Sequence, residues 1–300
     1  MLVTGLGGFT GRYLRPALEA GGYEVHGLFA PGVDSTARPP GPNDHVADLL
    51  DLTTVKAVVH RVKPSHVVHL AAISFVAHDD AAAIYATNIV GTRNLLDALS
   101  STGAPDCVVL ASSAGIYGNA VAELITEDAP PCPANDYGVS KLAMEHLASL
   151  WADRLPVTIV RPFNYTGVGQ SENFLVPKIV KAYKAHAPAL ELGNIAVERD
   201  FSDVRDVAAA YVQLLQIPGA GVVNICSGTT HTLQSVLEAA QSITGHRPEI
   251  QINPALVRSS EVRRLRGSNA RLRALLPGWS PRPFRETLSW MLTAKSAQRR

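Results

Sequence analysis

A glycine-rich turn near the start of the chain constrains the fold more than any other feature. Gly5, Gly8 and Gly11 lie three residues apart, after the short apolar run 1–3 and before the amphipathic segment 12–20. Strand, glycine turn and helix in this order form a dinucleotide site, because glycine lets the backbone approach a pyrophosphate at the positive end of the helix. The spacing is G-x-x-G-x-x-G, and the commoner G-x-G-x-x-G would need glycine in place of Thr10. Taken alone, the turn is also compatible with an ordinary tight loop.

Apolar runs alternate with amphipathic segments over the first half of the chain. Strands are predicted at 23–29, 65–72, 107–113 and 157–161, and helices at 52–62, 82–100 and 137–152. This alternation predicts an α/β fold with a Rossmann-type doubly wound parallel sheet. We expect a dinucleotide-binding domain at 1–162 and a smaller C-terminal α/β substrate-binding lobe at 163–300, with some segments of the lobe returning to the first domain.

The pattern loosens after Pro162. Helices are predicted there at 174–186, 203–216 and 233–244, with Asp203 as the N-cap of the second, and a strand at 222–226. The basic segment 255–273 is either a solvated face or an anion site in the C-terminal lobe.

The composition excludes several classes of protein. Of the 300 residues, 46% are hydrophobic and 18% charged, and the formal net charge is +1. A charge this close to zero predicts neither nucleic-acid nor membrane binding. The three cysteines form no C-x-x-C pair, and no apolar run approaches the roughly 20 residues of a membrane span. We expect a cytoplasmic protein that uses no metal.

Two short patterns predict acid–base chemistry. Tyr137 and Lys141 form Y-x-x-x-K, which places both side chains on one helix face. A nearby ammonium favours the phenolate, so we expect Lys141 to lower the pKa of Tyr137. Ser112 and Ser113 end the strand at 107–113, where ligands bind in open α/β sheets. Each pattern alone also fits a structural role: a half-buried tyrosine beside a solvent-exposed lysine, or the start of a loop.

Together these motifs resemble those of the extended short-chain dehydrogenases/reductases that act on nucleotide sugars. The resemblance covers nearly the whole chain and includes T-G-x-x-G-F-x-G at 4–11, D-L at 48–49, H-L-A-A at 69–72, N-x-x-G-T at 88–92, S-S-x-x-x-Y-G at 112–118, Y-x-x-x-K at 137–141, R-P-F-N at 161–164 and R-D-F-x-x-V-x-D-V at 199–207. The family's catalytic Ser or Thr stands four residues before the strand-end Tyr. Here that position is Ser113, so the resemblance implies the catalytic set Ser113, Tyr137 and Lys141.

The resemblance also implies the residues that hold the two ligands. On the cofactor side they are Gly5, Gly8, Phe9, Thr10, Gly11, Arg12, Asp48, Leu49, Leu70, Ala71, Ala72, Asn88, Ala111, Tyr137, Lys141 and Pro162. On the substrate side they are Ser74, Phe75, Ser113, Asn164, Lys178, Arg199, Asn224, Arg258 and Glu261. The last two belong to the segments R-x-x-E-V at 258–262 and G-x-N at 267–269, which are similar to those of the GDP-mannose dehydratases and their reductase relatives. A guanidinium suits a diphosphate, and a carboxylate accepts from a ribose diol.

The reaction that the resemblance implies is NAD(P)H-dependent reduction of the C4 ketone of GDP-4-dehydro-6-deoxy-D-mannose to GDP-D-rhamnose. A 4,6-dehydratase would need a proton-transferring pair directly after the catalytic Ser, where this chain has Ala114 and Gly115. The same motifs are also compatible with a nucleotide-sugar 4-epimerase and with a non-catalytic nucleotide-sugar-binding regulator. The configuration at C4, rhamnose or 6-deoxy-talose, stays open, as does the choice of GDP over a UDP or dTDP sugar.

Two further expectations concern the cofactor and the assembly. Phe29-Ala30-Pro31-Gly32 ends the second predicted strand without the acid typical of NAD-selective sites, and Arg12 or Arg38 could meet a 2′-phosphate. We therefore expect NADPH to be preferred, with some use of NADH. The helices at 82–100 and 137–152 carry apolar stripes that relatives pair across a two-fold axis, so a homodimer is expected, although such stripes also fit a plain core.

Overall fold

A twisted parallel sheet forms the centre of the molecule. The computed structural model describes residues 1–32, 41–74, 80–120, 122–257 and 262–294. The strands in these ranges are β1 (Leu2–Thr4), β2 (His26–Phe29), β3 (Asp44–Val46), β4 (His66–His69), β5 (Cys107–Ala111), β6 (Val157–Pro162), β7 (Asn164–Thr166), β8 (Ala189–Leu192), β9 (Glu198–Asp203), β10 (Gly221–Ile225), β11 (Thr230–Thr232), β12 (Glu249–Ile252) and β13 (Arg264–Leu265). Seven of these strands pair in parallel in the order β10-β6-β5-β4-β1-β2-β3.

Helices cover both faces of this sheet, which confirms the predicted doubly wound fold. The α-helices are α1 (Phe9–Ala20), α2 (Leu52–Val62), α3 (Ala81–Tyr85), α4 (Thr92–Thr102), α5 (Asp136–Ala148), α6 (Leu175–Lys184), α7 (Val204–Leu214), α8 (Leu233–Thr244), α9 (Ala270–Leu275) and α10 (Phe284–Thr293). Helices α1, α7 and α9 pack on one face through a core that includes Leu14, Tyr211 and Leu272. Helices α2, α4 and α5 pack on the other face.

A smaller lobe forms beside the carboxyl ends of the strands. Strands β11, β9 and β13 form a sheet to which β7 adds by pairing with β9, and β8 pairs with β12. Helices α6, α8 and α10 enclose a separate apolar core around Phe201. The chain crosses back from this lobe, since α7 packs beside α1 and β10 forms an edge of the central sheet.

The helix predicted at 82–100 is interrupted by a wider turn. Residues 86–91 are π-helical and lie between α3 and α4. The Thr92 hydroxyl donates to the Asn88 carbonyl oxygen at 2.7 Å, and a Cβ on Gly91 would lie 3.1 Å from Leu49. Such single π turns are frequent at functional sites.

Several other elements differ from the predicted ones. Strand β2 begins only at His26, and β4 ends at His69 rather than Ala72. Strand β3 was missed, because Asp44 and His45 give it no apolar alternation. The prediction that Asp203 caps a helix is confirmed: its carboxylate accepts from the Arg205 backbone N–H.

No helix in the described ranges combines the length and apolarity that crossing a membrane requires.

Candidate active site

The glycine turn joins β1 to α1 at the carboxyl edge of the sheet. Gly5 has φ +69°, and a Cβ there would lie 2.7 Å from the Ala71 backbone nitrogen. A Cβ on Gly11 would lie 2.2 Å from the Leu6 carbonyl oxygen, so both positions exclude a side chain. Helix α1 starts after Gly8 with no side-chain cap and no acid in its first turn. Its first N–H groups and helix dipole therefore face a surface suited to a phosphate anion.

Further residues predicted to bind the cofactor follow strands β2 and β3. Ala30, Pro31 and Gly32 follow β2 as exposed residues, so the end of this strand presents no carboxylate. After β3, Asp48 is exposed and accepts from the Leu50 N–H at 2.9 Å. Leu49 is buried against Gly91. The structure thus brings the glycine turn and the D-L pair to one edge of the sheet.

The segment after β4 lies against the glycine turn. The Leu70 N–H donates to the Thr4 carbonyl oxygen at 3.2 Å, and the Ala71 N–H donates to the Thr4 hydroxyl at 3.2 Å. Asn88 is fully buried and bonds both ways to the Ile73 backbone. Its side chain thus fixes the segment at 70–73, and a direct cofactor contact for Asn88 stays a prediction.

Strand β5 and helix α5 bring the three predicted catalytic residues together. Ser113 follows β5 and accepts from the Gly115 N–H at 3.0 Å, while a hydrogen bond links it to Tyr137. Asn135 caps α5 through the Gly138 N–H at 2.9 Å, which fixes the turn that carries Tyr137. The neighbouring Ser112 has a different environment, because it is buried and donates to Glu145.

The pKa of Tyr137 differs from the expectation. Burial raises the pKa of Tyr137 above its ordinary value, and the Ser113 hydrogen bond opposes this only in part. The expectation that Tyr137 has a lowered pKa is therefore wrong in the net direction, because burial outweighs the groups that favour the phenolate. The Lys141 ammonium lies 5.9 Å from the centre of the Tyr137 ring and donates to the Ala111 carbonyl oxygen at 2.7 Å. Burial lowers the pKa of Lys141 to about 8, although the nearby Glu145 carboxylate opposes the shift.

The residues predicted for the substrate side have three kinds of environment. The Asn164 Nδ2 atom is buried and has no hydrogen-bond partner in the described part of the chain. Asn224 is fully buried, and its amide is used by Tyr117 and by the Ile125 carbonyl oxygen. Arg199 is nearly buried and donates to the Glu198 and Arg263 carbonyl oxygens at 3.0 and 3.1 Å. Ser74 is exposed and Lys178 partly exposed.

Four residues named from the sequence lie outside the described ranges. They are Arg38, named for a 2′-phosphate, and Phe75, Arg258 and Glu261, named for the substrate.

A buried ion pair beneath the site was not predicted. The Arg161 guanidinium bonds both Glu145 oxygens, with the closest approach at 2.7 Å, and it also donates to the Tyr117 hydroxyl at 2.7 Å. Its side chain is 9% exposed and that of Glu145 7%. The available signals were the acid four residues after Lys141 and the arginine before Pro162, but no sequence spacing pairs them.

A second unpredicted feature is Tyr165, which joins the lobe to the glycine turn. Its ring stacks on Phe9 with centres 6.0 Å apart, and its hydroxyl lies 2.7 Å from the Thr10 hydroxyl. Beside it, Tyr13 donates to the Val168 carbonyl oxygen and Arg12 to that of Gly169. The start of α1 is thereby held by the segment 165–169.

No group of three or more His, Cys, Asp or Glu side chains in the described ranges is arranged to hold a metal ion.

Comparison with known proteins places this arrangement in a family. The family model described as GDP-mannose 4,6 dehydratase matches residues 2–291. The chain belongs to the GDP-mannose 4,6-dehydratase family of extended short-chain dehydrogenases/reductases. The predicted family is therefore confirmed.

Two relatives in this family are similar over most of their length. The GDP-6-deoxy-D-talose 4-dehydrogenase of Aggregatibacter actinomycetemcomitans is 34% identical, over 91% of this chain and 89% of the relative. The GDP-6-deoxy-D-mannose reductase of Pseudomonas aeruginosa is 36% identical, over 94% of this chain and 91% of the relative.

Two solved structures superpose on this chain over most of its length. A suspected epimerase from Burkholderia cenocepacia has a TM-score of 0.89 and 48% identity, covering 97% of this chain and 96% of that one. The structure of RMD from Pseudomonas aeruginosa complexed with NADPH has a TM-score of 0.82 and 34% identity, with the same coverage.

Proposed function

We propose that this chain reduces the C4 ketone of GDP-4-dehydro-6-deoxy-D-mannose with NADPH and forms GDP-D-rhamnose. The observation that carries the proposal is that Ser113, at the end of β5, lies beside the Tyr137–Lys141 pair of α5, at the carboxyl edge of the central sheet. Burial raises the pKa of Tyr137, so its side chain is a phenol, the form a general acid needs when a ketone becomes an alcohol.

Each residue of the set has one task in this reaction. The Ser113 hydroxyl donates to the ketone oxygen and polarises it. Tyr137 delivers its proton to the alkoxide that forms there. Lys141, charged below about pH 8, stabilises the phenolate left behind. The nicotinamide, when bound, supplies the hydride. The uncapped start of α1 and the side-chain-free Gly5 and Gly11 fit its pyrophosphate.

Gly115 separates this proposal from a dehydratase. A Cβ at Gly115 would lie 3.2 Å from the Ser113 oxygen and 3.8 Å from the Tyr137 ring. The position is therefore next to the reacting groups, yet it carries no acid or base, and Ala114 beside it is buried. Elimination of water across C5 and C6 needs a proton-transferring side chain that these two positions lack.

The GDP-sugar assignment rests on the two relatives, both of which carry GDP-6-deoxy sugars in their names. The unpartnered Asn164 amide supports a sugar or phosphate contact, because a buried N–H donor without a partner in the described chain is unfavourable. Arg258 and Glu261 are proposed to hold the diphosphate and the ribose. Asn224 and Arg199 are proposed to shape the site.

NADPH is proposed as the preferred cofactor because nothing negative follows β2 in the described chain up to Gly32. Arg12 is exposed at the start of α1 and donates to the Gly169 carbonyl oxygen at 3.2 Å, a long bond that it can exchange for one to a 2′-phosphate. The NADPH complex of the Pseudomonas aeruginosa protein points the same way. Values of kcat/KM for NADPH and NADH at one saturating sugar concentration test this, and a clear NADH preference would contradict it.

The rate of reduction should depend on pH through Lys141. Its pKa is lowered to about 8, so the ammonium is present below this pH and is lost as the pH rises through it. Tyr137, with its raised pKa, stays protonated over the same range. We expect kcat/KM to fall as the pH rises above about 8. A pH–rate profile measures this. A kcat/KM that stays constant up to about pH 10 would show that the charge of Lys141 has no part in the mechanism.

A nucleotide-sugar 4-epimerase is the second candidate, favoured by the 48% identity to the suspected epimerase of Burkholderia cenocepacia. The two functions differ in stoichiometry. A reductase consumes one NADPH per ketone, whereas an epimerase consumes none. Incubation with the ketone and NADPH, with UDP-glucose and NAD, and with GDP-mannose and NADP separates reductase, epimerase and dehydratase. We expect turnover only in the first mixture.

We also propose a cytoplasmic homodimer built on α5 and the neighbouring π turn. Val90 in the π turn, Val139 in α5 and Leu150 in the 3-10 turn after α5 are 45%, 40% and 67% exposed. Exposed apolar side chains on neighbouring elements form a surface that a second copy can cover. We expect a dimeric mass in light scattering at micromolar concentration and a monomeric mass for Leu150→Asp. A monomeric wild-type protein would contradict the proposal.

A further inference from the structure

His69 is a buried titratable side chain that the proposed chemistry does not use. It ends β4 with 1% exposure, and burial lowers its pKa to about 3, so its ring is neutral. Both ring nitrogens still have partners: Nδ1 lies 2.7 Å from the Thr4 hydroxyl and Nε2 lies 2.9 Å from the Thr92 hydroxyl. A neutral imidazole has one donor and one acceptor nitrogen, so these bonds have a direction.

The Thr92 hydroxyl sets this direction. Its single hydrogen goes to the Asn88 carbonyl oxygen at 2.7 Å, so towards His69 it can only accept. Nε2 of His69 therefore carries the proton and Nδ1 accepts from the Thr4 hydroxyl. Thr4 in turn accepts from the Ala71 N–H at 3.2 Å. Every donor and acceptor in this series is used once and consistently.

The series continues through Asn88 to the catalytic helix. The Asn88 amide donates to the Ser140 hydroxyl at 2.9 Å, and this hydroxyl donates to the Tyr137 carbonyl oxygen at 2.8 Å. Thr4 precedes the glycine turn, and Ser140 lies between Tyr137 and Lys141. The bonds thus connect β1, β4, the π turn and α5. They pass through a main-chain carbonyl at Asn88, so they form a brace rather than a path for protons.

We propose that His69, in its Nε2-protonated form, is a positioning residue that fixes the distance between the glycine turn and the Tyr137–Lys141 pair. The proposal rests on the proposed function, since it concerns how Tyr137 meets a ketone held against the cofactor. A displacement of about 1 Å in such a pair can lower the rate up to 10²-fold. Neither His69 nor Thr92 is among the residues assigned to the cofactor or the sugar, so we expect changes at these two positions to act on kcat more than on KM.

Thr92 variants test the brace without changing the histidine. Thr92→Val removes the hydroxyl at nearly constant volume, and Thr92→Ser keeps it. Thr102→Val is the matched control, because the Thr102 hydroxyl makes the same bond to a carbonyl four residues back, Ala98, on the same helix. We expect Thr92→Val to lower kcat about tenfold with KM values within twofold, and Thr92→Ser and Thr102→Val to stay within twofold of wild type. Equal kcat for the two valine variants would overturn the proposal.

Nitrogen-15 NMR of histidine-labelled protein gives a readout independent of activity. The His69 ring is assigned through the proximity of its protons to the Thr4 and Thr92 side chains, which lie against its two nitrogens. We expect its Nε2 to carry the proton in wild type and the single form to give way to a tautomer mixture in Thr92→Val. An Nδ1-protonated or charged His69 in wild type overturns the proposal even if a variant fails to fold. Absence of turnover by wild type, with the expected tautomer, contradicts the proposed function and leaves the brace standing.

Discussion

We expect Tyr137→Phe to lower kcat for ketone reduction by about 10² to 10⁴, the range that loss of a general acid produces. The variant keeps the ring, its packing and the neighbouring Lys141 ammonium, and it removes only the hydroxyl that shares a hydrogen bond with Ser113. The proton that reaches the alkoxide must then come from water. Steady-state kinetics with the ketone and NADPH give the ratio.

Tyr85→Phe is the matched control for this measurement. Its hydroxyl donates to Asp136 at 2.7 Å, in the first turn of the same helix, but outside the Ser113–Tyr137–Lys141 set. We expect this variant to retain wild-type kcat within about twofold. NADPH affinity should be similar in both variants. Reduction by Tyr137→Phe at a rate close to that of the control would show that another group donates the proton.

The second large effect concerns stability and the buried pair Arg161–Glu145. Replacing Arg161 by Met leaves the Glu145 carboxylate buried without its cation, and breaking such a pair costs about 3–5 kcal/mol in the free energy of unfolding. The Tyr117 hydroxyl and the Glu127 carbonyl oxygen lose a donor as well. Urea unfolding followed by circular dichroism measures the loss.

The double variant Arg161→Met/Glu145→Met separates burial of a charge from lost packing. Removing both charges should recover much of the stability, because no uncompensated carboxylate remains. Lys56→Met serves as the surface control: Lys56 pairs with Asp97 at 2.9 Å, but both side chains are exposed by a third or more, so we expect a change below about 1 kcal/mol. A double variant less stable than Arg161→Met alone would contradict the electrostatic explanation.

Elements with a clear apolar period were predictable from the sequence. The helices at 52–62 and 233–244 have the predicted ends, because Asp51 and Thr232 cap them and their apolar residues recur at helical spacing. The short strands of the second lobe were not predictable. β7, β11 and β13 have two or three residues each, and pairing with β9 rather than their own residues defines them.

In the candidate site, too, the motif residues were predictable and the properties that depend on packing were not. Motif spacing predicted that Ser113, Tyr137 and Lys141 lie together. The structure shows why Ser112 differs from Ser113: Ser112 donates to Glu145, a residue 33 positions away. The sign of the Tyr137 pKa shift was wrong because burial depends on tertiary packing that a Y-x-x-x-K spacing does not reveal. Asn224 was predicted to touch the substrate, and its burial beneath Tyr117 is likewise a property of the assembled fold.

Transfer of deuterium from labelled NADPH tests the central claim most directly. The protein is incubated with GDP-4-dehydro-6-deoxy-D-mannose and NADPH in which both hydrogens at C4 of the nicotinamide are deuterium, and the product is resolved by proton NMR. The account predicts one deuterium at C4 of the sugar, the rhamnose configuration there, and one NADPH oxidised per ketone consumed. Recovery of unreduced ketone, or of an epimerised sugar with no net oxidation of NADPH, would contradict it.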